Sequence, residues 1–271
     1  MTKIAFIGAG NMNGAIIGGL IKNGVDPKSI IVTNPSPEKR EALSAKYGIL
    51  NTADNLEAVA FADTVILGVK PHLIVEVCKN ITANITIENK CFVSVAAGCL
   101  LKTIQEALHE NTAIIRTMPN TPAQVGLGMT GIFANEFVTD AQKAAVEKVI
   151  ACTGELIWLE SEAGIDDVTC VSGSGPAYFF LFMEAMEQHA KTLGFTPEQS
   201  RLLVQQTALG AATMVVDNPE VEIGKLRTNV TSKGGTTQAA LLQFTDGGLP
   251  ELVATAMTAA HTRAKELANS K

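Results

Sequence analysis

Over the first 160 residues, short apolar runs of strand length recur between stretches whose apolar residues are spaced as on one face of a helix; from Ser161 onward only the helical spacing remains. Residues 4–7, 29–33, 64–69, 91–95, 112–116, 128–134 and 155–159 read as strands. Between them the spacing predicts helices near Asn11, with Ala15, Ile16, Ile17, Leu20 and Ile21 as apolar positions, at Pro37, over 54–61 behind Asp54 as N-cap, and over 139–152. Strands alternating with helices predict an α/β fold around a parallel sheet.

The rest is expected to be all helical. Residues 175–194 carry Tyr178, Phe179, Phe180, Leu181, Phe182, Met183 and Met186 around most of one helix. A helix apolar on most sides is buried on most sides, so in a small second domain it predicts a subunit interface as well as an internal core. Thr196-Pro197-Glu198-Gln199 has a capping threonine, proline at the first helical position and Gln three residues after the cap, opening a helix to about Val216. Leu249 opens a last helix reaching Ala268. The expected domains are 1–160 and 161–271.

Composition narrows the function. With 271 residues, 46% of them hydrophobic, the chain can fill two cores. A net charge of -6, with no Lys/Arg block interleaved with aromatics, argues against a nucleic acid partner. No apolar run reaches membrane-spanning length and no basic leader precedes the first strand, so a cytoplasmic protein is expected. Cys78, Cys91, Cys99, Cys152 and Cys170 form no C-x-x-C pair and are expected to be free, structural thiols. His72, His109, His189 and His261 are scattered, and no metal site is expected.

Candidate chemistry sits in two glycine loops. In the first, Ile7-Gly8-Ala9-Gly10-Asn11-Met12, Gly8 permits a sharp turn, Gly10 leaves room for a pyrophosphate, and the amides of the following helix point at that anion. The full dinucleotide fingerprint has a third small residue where this chain has Asn13. The second strand ends in Thr33 and Asn34, without the acid that would hold an NAD ribose. Asn34 and Ser36, with Lys39 and Arg40 near them, suit a 2′-phosphate, which favours NADPH over NADH; Lys39 and Arg40 fit a solvated helix face equally well. Lys70 at a strand end suits cofactor phosphate or ribose, His72 reads as a turn residue, and the small residues Ala96-Ala97-Gly98 suit either a flat ring or a tight turn. Asn120 lies in a loop stiffened by Pro119 and Pro122, and Trp158 reads as core. In the second loop, residues 229–238, the hydroxyls of Ser232, Thr236 and Thr237 and two glycines precede a helical pattern, which suits a carboxylate better than a simple N-cap.

Taken with Val69-Lys70-Pro71, Arg116-Thr117-Met118-Pro119-Asn120-Thr121-Pro122 and Val171-Ser172-Gly173-Ser174-Gly175-Pro176-Ala177-Tyr178, these loops make the chain resemble pyrroline-5-carboxylate reductase over essentially its whole length. One position departs: Lys233 stands where that family usually has proline. The resemblance implies an N-terminal Rossmann-type dinucleotide-binding domain and an all-helical C-terminal dimerisation domain, with the active site at the interface of a homodimer or of a larger assembly of dimers. It places cofactor contacts on Gly8, Gly10, Asn11, Met12, Asn34, Ser36, Asn55, Val69, Lys70, Pro71, Ala97, Gly98 and Asn229. Substrate contacts fall on Glu162, Ser232, Gly235, Thr236 and Thr237. A local reading would instead make Asn55 part of a helix start and Glu162 a surface acid.

The implied reaction is hydride transfer from NADPH, with NADH as an alternative donor, to the C=N carbon of 1-pyrroline-5-carboxylate, giving proline. Thr237 is the residue implied to hydrogen bond the ring nitrogen and relay a proton. Two rival readings fit parts of this layout. A β-hydroxyacid dehydrogenase resembles this layout but carries a lysine four residues after a Gly-x-Gly, and here Gly173-Ser174-Gly175 is followed at that spacing by Phe179. A non-catalytic NADP(H)-binding sensor would have no use for the second, hydroxyl-rich loop.

Overall fold

The computed structural model describes residues 2–269. Strand β1 (Ile4–Ile7) leads through the first glycine loop into α1 (Asn11–Lys22), followed by β2 (Ile30–Thr33), α2 (Pro37–Tyr47), β3 (Leu50–Thr52), α3 (Asn55–Phe61) and β4 (Thr64–Leu67). Then come α4 (Ile74–Asn84), β5 (Cys91–Ser94), α5 (Leu101–Leu108), β6 (Ala113–Met118), β7 (Gly128–Ala134), α6 (Asp140–Ala151) and β8 (Gly154–Trp158). The sheet order is β3-β2-β1-β4-β5-β6-β7-β8, parallel throughout except where β6 meets β7. The order reverses at β1, which pairs with β2 on one side and β4 on the other, and open α/β sheets bind ligands outside the carboxyl ends of strands at such a point.

The strands read as unbroken apolar runs because the sheet is covered on both faces. Ala5, Ile7, Val65, Leu67 and Phe92 face one way, into a core shared with α3, α4 and α5. Their neighbours Ile4, Phe6, Ile66, Cys91 and Val93 face the other way, onto α1 and α6. Three elements go beyond the sequence pattern. Strand β3 has three residues at the sheet edge, none fully buried, and so carries no apolar run. Helices α4 and α5 bury Ile74, Cys78 and Ile81, and Leu101, Ile104, Ala107 and Leu108, at helical spacing.

Beyond β8 the described chain is helical. Helix α7 (Gly164–Val168) runs into a π-helical turn at Thr169–Gly173, where the Ser174 amide bonds the Thr169 carbonyl at 2.8 Å. Then follow α8 (Gly175–Thr192), α9 (Pro197–Val216), α10 (Ile223–Asn229), α11 (Thr236–Asp246) and α12 (Leu249–Asn269). Helix α9 opens with the complete capping box of Thr196 and Gln199. By compactness the chain forms two units, one ending at Ser174 and including the segment from Ala260, the other Gly175–Ala259. This differs in kind from the change of residue pattern near Glu160, because α7 and the π turn are helical yet pack with the sheet-bearing unit.

The helical unit exposes much of its apolar surface. Phe180 is 61% and Leu181 68% exposed, Phe179, Phe182, Leu202 and Leu203 are also exposed, and the Phe182 ring packs at a tilt against Phe244 with centroids 5.7 Å apart. Patches of this extent are uncommon on a monomer. Among the described residues, no helix is long and apolar enough to cross a membrane.

Cys78, Cys91, Cys99 and Cys152 are free thiols. Burial in the two cores pushes the Cys78 and Cys91 thiols up to about 12. In the unfolded chain these thiols ionise first, at about 8.5. The stability due to keeping them protonated is present below that value and is lost as pH rises toward the folded value. Urea denaturation across alkaline pH is expected to show a falling stability whose slope is shallower in the Cys78→Ala/Cys91→Ala double variant. An unchanged slope would contradict it.

Candidate active site

The first glycine loop follows from the pairing of β1 with β4. Ile7 lies opposite Leu67, and the next amide, of Gly68, bonds the Ile7 carbonyl at 2.9 Å. Gly8 therefore turns directly against Gly68. Its φ of +101° and a carbonyl oxygen 2.9 Å from where a Cβ would lie leave room for glycine alone. Gly10 is different. A Cβ there would meet only the Gly68 carbonyl oxygen, at an ordinary 3.8 Å. The protein's own packing does not require glycine at 10. That residue caps α1 without any side-chain hydrogen bond, so the bare backbone leaves the first amides of α1 open to an anion.

Asn13 occupies the fingerprint's third small position because the packing is exchanged with Gly68. The buried Asn13 amide donates to the Gly8 carbonyl at 2.7 Å, and a Cβ on Gly68 would lie 2.4 Å from Asn13 Cγ. The larger side chain on the helix is matched by none on the strand end.

A groove of 560 Å³ lies between α1 and α2, lined by Ala9, Gly10, Asn11, Lys39, Lys46 and Tyr47 among others. A larger groove of 860 Å³, by residues 84–90 and 109–113, opens at the amino ends of β5 and β6. That is the wrong edge of a parallel sheet for a ligand, so the smaller groove is the better candidate. At its edge, Asn34 ties β2 to the loop: its Oδ1 accepts from the Ala9 amide at 3.1 Å and its Nδ2 donates to the Ser36 carbonyl at 3.2 Å. Arg40 is half-buried and donates to the Asn34 carbonyl at 3.0 Å, so it is not part of a solvated face, whereas Lys39 is exposed. The Ser36 hydroxyl donates to the Glu38 carboxylate and holds that carboxyl below its ordinary value, helped by a backbone hydrogen bond. Thr33 donates to Asn55 Oδ1 at 2.6 Å, joining the ends of β2 and α3.

Val69, Lys70 and Pro71 continue from the carboxyl end of β4, with Lys70 and Pro71 exposed. Ala97 and Gly98 follow β5, with Ala97 exposed and Gly98 at a φ of +71°. Thus Gly8, Gly10, Asn11, Met12, Asn34, Ser36, Asn55, Val69, Lys70, Pro71, Ala97 and Gly98 share one edge of the sheet. Asn229 lies in the helical unit, at the end of α10.

Glu162 belongs to the sheet-bearing unit. Its Oε1 accepts from the Leu101 amide at 2.6 Å and pairs with the guanidinium of Arg116. Arg116 is 3% exposed and Glu162 28%, so this ion pair is largely out of water. A charge in β6, where Ala113, Ile114 and Ile115 precede it, is the sequence signal for Arg116. Asn120 spends both ends of its amide on structure, donating to the Ser172 carbonyl at 3.0 Å and accepting from the Met129 amide at 2.9 Å.

The second glycine loop lies in the helical unit. Gly234, at a φ of +75°, donates to Gln238 Oε1 at 2.6 Å, and Gly235 caps α11 without a side-chain hydrogen bond. A Cβ on Gly235 would meet the Ser232 hydroxyl at 2.7 Å, so the glycine is what lets that hydroxyl fold over the helix start. Ser232, Lys233, Thr236 and Thr237 are exposed. Lys233 adds a cation at the positive end of the α11 dipole, which strengthens the field on an anion there.

Comparison with known proteins points one way. Residues 162–267 match the family model for pyrroline-5-carboxylate reductase dimerisation, and residues 3–98 match one for NADP oxidoreductase coenzyme F420-dependent proteins. The pyrroline-5-carboxylate reductase of Vibrio alginolyticus is 49% identical over 265 residues, covering 98% of this chain and 97% of that one. The solved reductase of Coxiella burnetii is 43% identical with a TM-score of 0.94, covering 99% of both chains. That of Plasmodium falciparum, solved with NADP bound, is 26% identical with a TM-score of 0.87, covering 99% of this chain and 98% of the other. With its dinucleotide-type first loop, its open second loop and relatives matched end to end, this chain belongs to the pyrroline-5-carboxylate reductase family.

Proposed function

We propose that the chain reduces the C=N bond of 1-pyrroline-5-carboxylate to L-proline with NADPH, the last step of proline biosynthesis, in the cytoplasm. NADH serves as a second, weaker donor. The observation that carries this reading is the exposed hydroxyl loop on the uncapped start of α11, in a chain of this family. We assign residues 1–160 to cofactor binding and 161–271 to substrate binding and dimerisation.

The cofactor residues are Gly8, Gly10, Asn11 and Met12 at the pyrophosphate, Asn34 and Ser36 at the 2′-phosphate side, and Asn55, Val69, Lys70, Pro71, Ala97, Gly98 and Asn229 around the remainder. Bound there, the reduced nicotinamide supplies the hydride. A protonated imine is already electrophilic, so the protein's task is chiefly to hold and orient it. Ser232, Gly235 and Thr236 hold the carboxylate through amides and hydroxyls at the start of α11. The Thr237 hydroxyl hydrogen bonds the ring nitrogen and relays the proton that the imine takes up; once the imine is protonated, the hydroxyl accepts from its N–H. Glu162 Oε1 already takes two N–H donors, from Leu101 and Arg116. The exposed apolar face of α8 is covered by a second copy, giving a homodimer that can assemble further.

The deciding experiment supplies glutamate semialdehyde, which cyclises to the pyrroline, and follows NADPH oxidation. Turnover is expected; turnover only with a hydroxy acid and NADP⁺ would favour the dehydrogenase reading, and none with either would favour the sensor.

Four substitutions test the parts. Gly10→Ala is expected to weaken NADPH binding about 10-fold while changing stability by less than about 0.5 kcal/mol. Gly8→Ala should cost roughly 1–3 kcal/mol, because it strains the backbone. Titration with NADPH and urea denaturation separate the two. Thr237→Val should lower kcat/KM by roughly 10- to 100-fold without abolishing it, since a threonine is a weak general acid; full activity would remove Thr237 from the reaction. Phe180→Glu should shift sedimentation to a smaller species.

A further inference from the structure

We infer that Arg116 and Glu162 are positioning residues for the hydride donor: their ion pair, with Arg116 buried and Glu162 half-buried, holds the loop from Val95 to Leu100, which carries Ala97 and Gly98, in one conformation. The inference rests on the cofactor reading above.

The loop leaves β5 and enters α5, and it is anchored at both ends. At its start the Val95 amide bonds the Leu67 carbonyl at 3.2 Å, the Ala96 amide bonds the Ser94 hydroxyl at 3.3 Å, and the Thr117 hydroxyl holds the Ser94 carbonyl at 3.0 Å. At its end α5 has no cap of its own, since its N-cap residue is Leu100 and its first turn holds no acid. The missing acceptor comes from 61 residues away, as Glu162 Oε1 on the Leu101 amide. A carboxylate there satisfies an orphan donor and the helix dipole together. Its direction is set by Arg116, which lies in β6 beside β5, with Ser94 opposite Arg116 in register. Cys99, the loop's buried thiol, feels all of this: burial raises it, Arg116 lowers it and Glu162 raises it again. Gly98 is confined from outside as well, with a Cβ there meeting Leu267 of α12 at 3.4 Å.

Two consequences follow from this pairing. A loop clamped at both ends presents Ala97 and Gly98 as a fixed floor for a flat ring, and hydride transfer is steep in distance. Arg116, buried in β6 beside β5, would also be an unpaired cation without its partner. Glu162 neutralises it.

The test compares Glu162→Gln and Arg116→Lys with the wild type by three readouts: the single-turnover rate of NADPH oxidation by the pyrroline, the Kd of NADPH, and amide hydrogen exchange over residues 95–101. Wild-type turnover is measured first, and its absence would sink the function itself. Given turnover, Glu162→Gln should lower the single-turnover rate by about 10-fold or more, with Kd and substrate KM within about 3-fold, and speed exchange over residues 95–101 while the strands stay protected. Arg116→Lys, which keeps a charge on Glu162's partner, should lose less. A lower rate with unchanged exchange, or a raised substrate KM at unchanged rate, would make Glu162 a substrate contact and overturn the inference. Faster exchange at an unchanged rate, or a Glu162→Gln protein that does not fold, would make the pair purely structural and overturn it equally.

Discussion

The register of β1 against β4 is the constraint on which the cofactor edge depends. Ile7 opposite Leu67 brings two glycines, Gly8 and Gly68, into contact just past the ends of their strands. From that contact follow the left-handed turn at Gly8, the start of α1, and the room that the Asn13 side chain fills. A slip of β1 by one residue would turn it inside out, because Ala5 and Ile7 serve one core and Ile4 and Phe6 the other. The same register leaves Gly10 outside the contact, free of any packing demand. Its lack of a side chain fits the pyrophosphate contact proposed for it.

The sheet-bearing unit solves a second problem in a similar way, by borrowing. Helix α5 begins on Leu100, which cannot cap it, and takes its acceptor from Glu162, far along the chain. Glu162 in turn needs a cation, and Arg116 supplies it from inside an apolar strand. Removing one member would leave the other buried without its counter-charge, at a cost of a few kcal/mol, reduced by the partial exposure of Glu162. Such long-range dependence ties the end of β5, the start of α5 and the segment after β8 into one piece.

Much of this was legible in the sequence, for physical reasons. Parallel strands covered on both faces give unbroken apolar runs, so β1, β2, β4, β5 and β6 stand out, and the capping box of Thr196 and Gln199 announces α9. The edge strand β3 has no such run and stays hidden. Asn13 looks like a defect until Gly68 is seen beside it, since compensation between distant residues leaves no local trace. Arg40 and Glu162 each read locally as surface charges, and only tertiary contact shows the one on the Asn34 carbonyl and the other on Arg116 and Leu101. The family resemblance reached further than periodicity could, because its motifs span the two loops that no single hydrophobic pattern connects.

The central claim is that this family member moves a hydride onto an imine carbon. Turnover with NADPH deuterated at the transferred C4 position, followed by mass spectrometry of the product, tests it most directly. The account predicts proline carrying one deuterium, on the ring carbon beside nitrogen that does not bear the carboxylate. Unlabelled proline, or label at any other position, would contradict it.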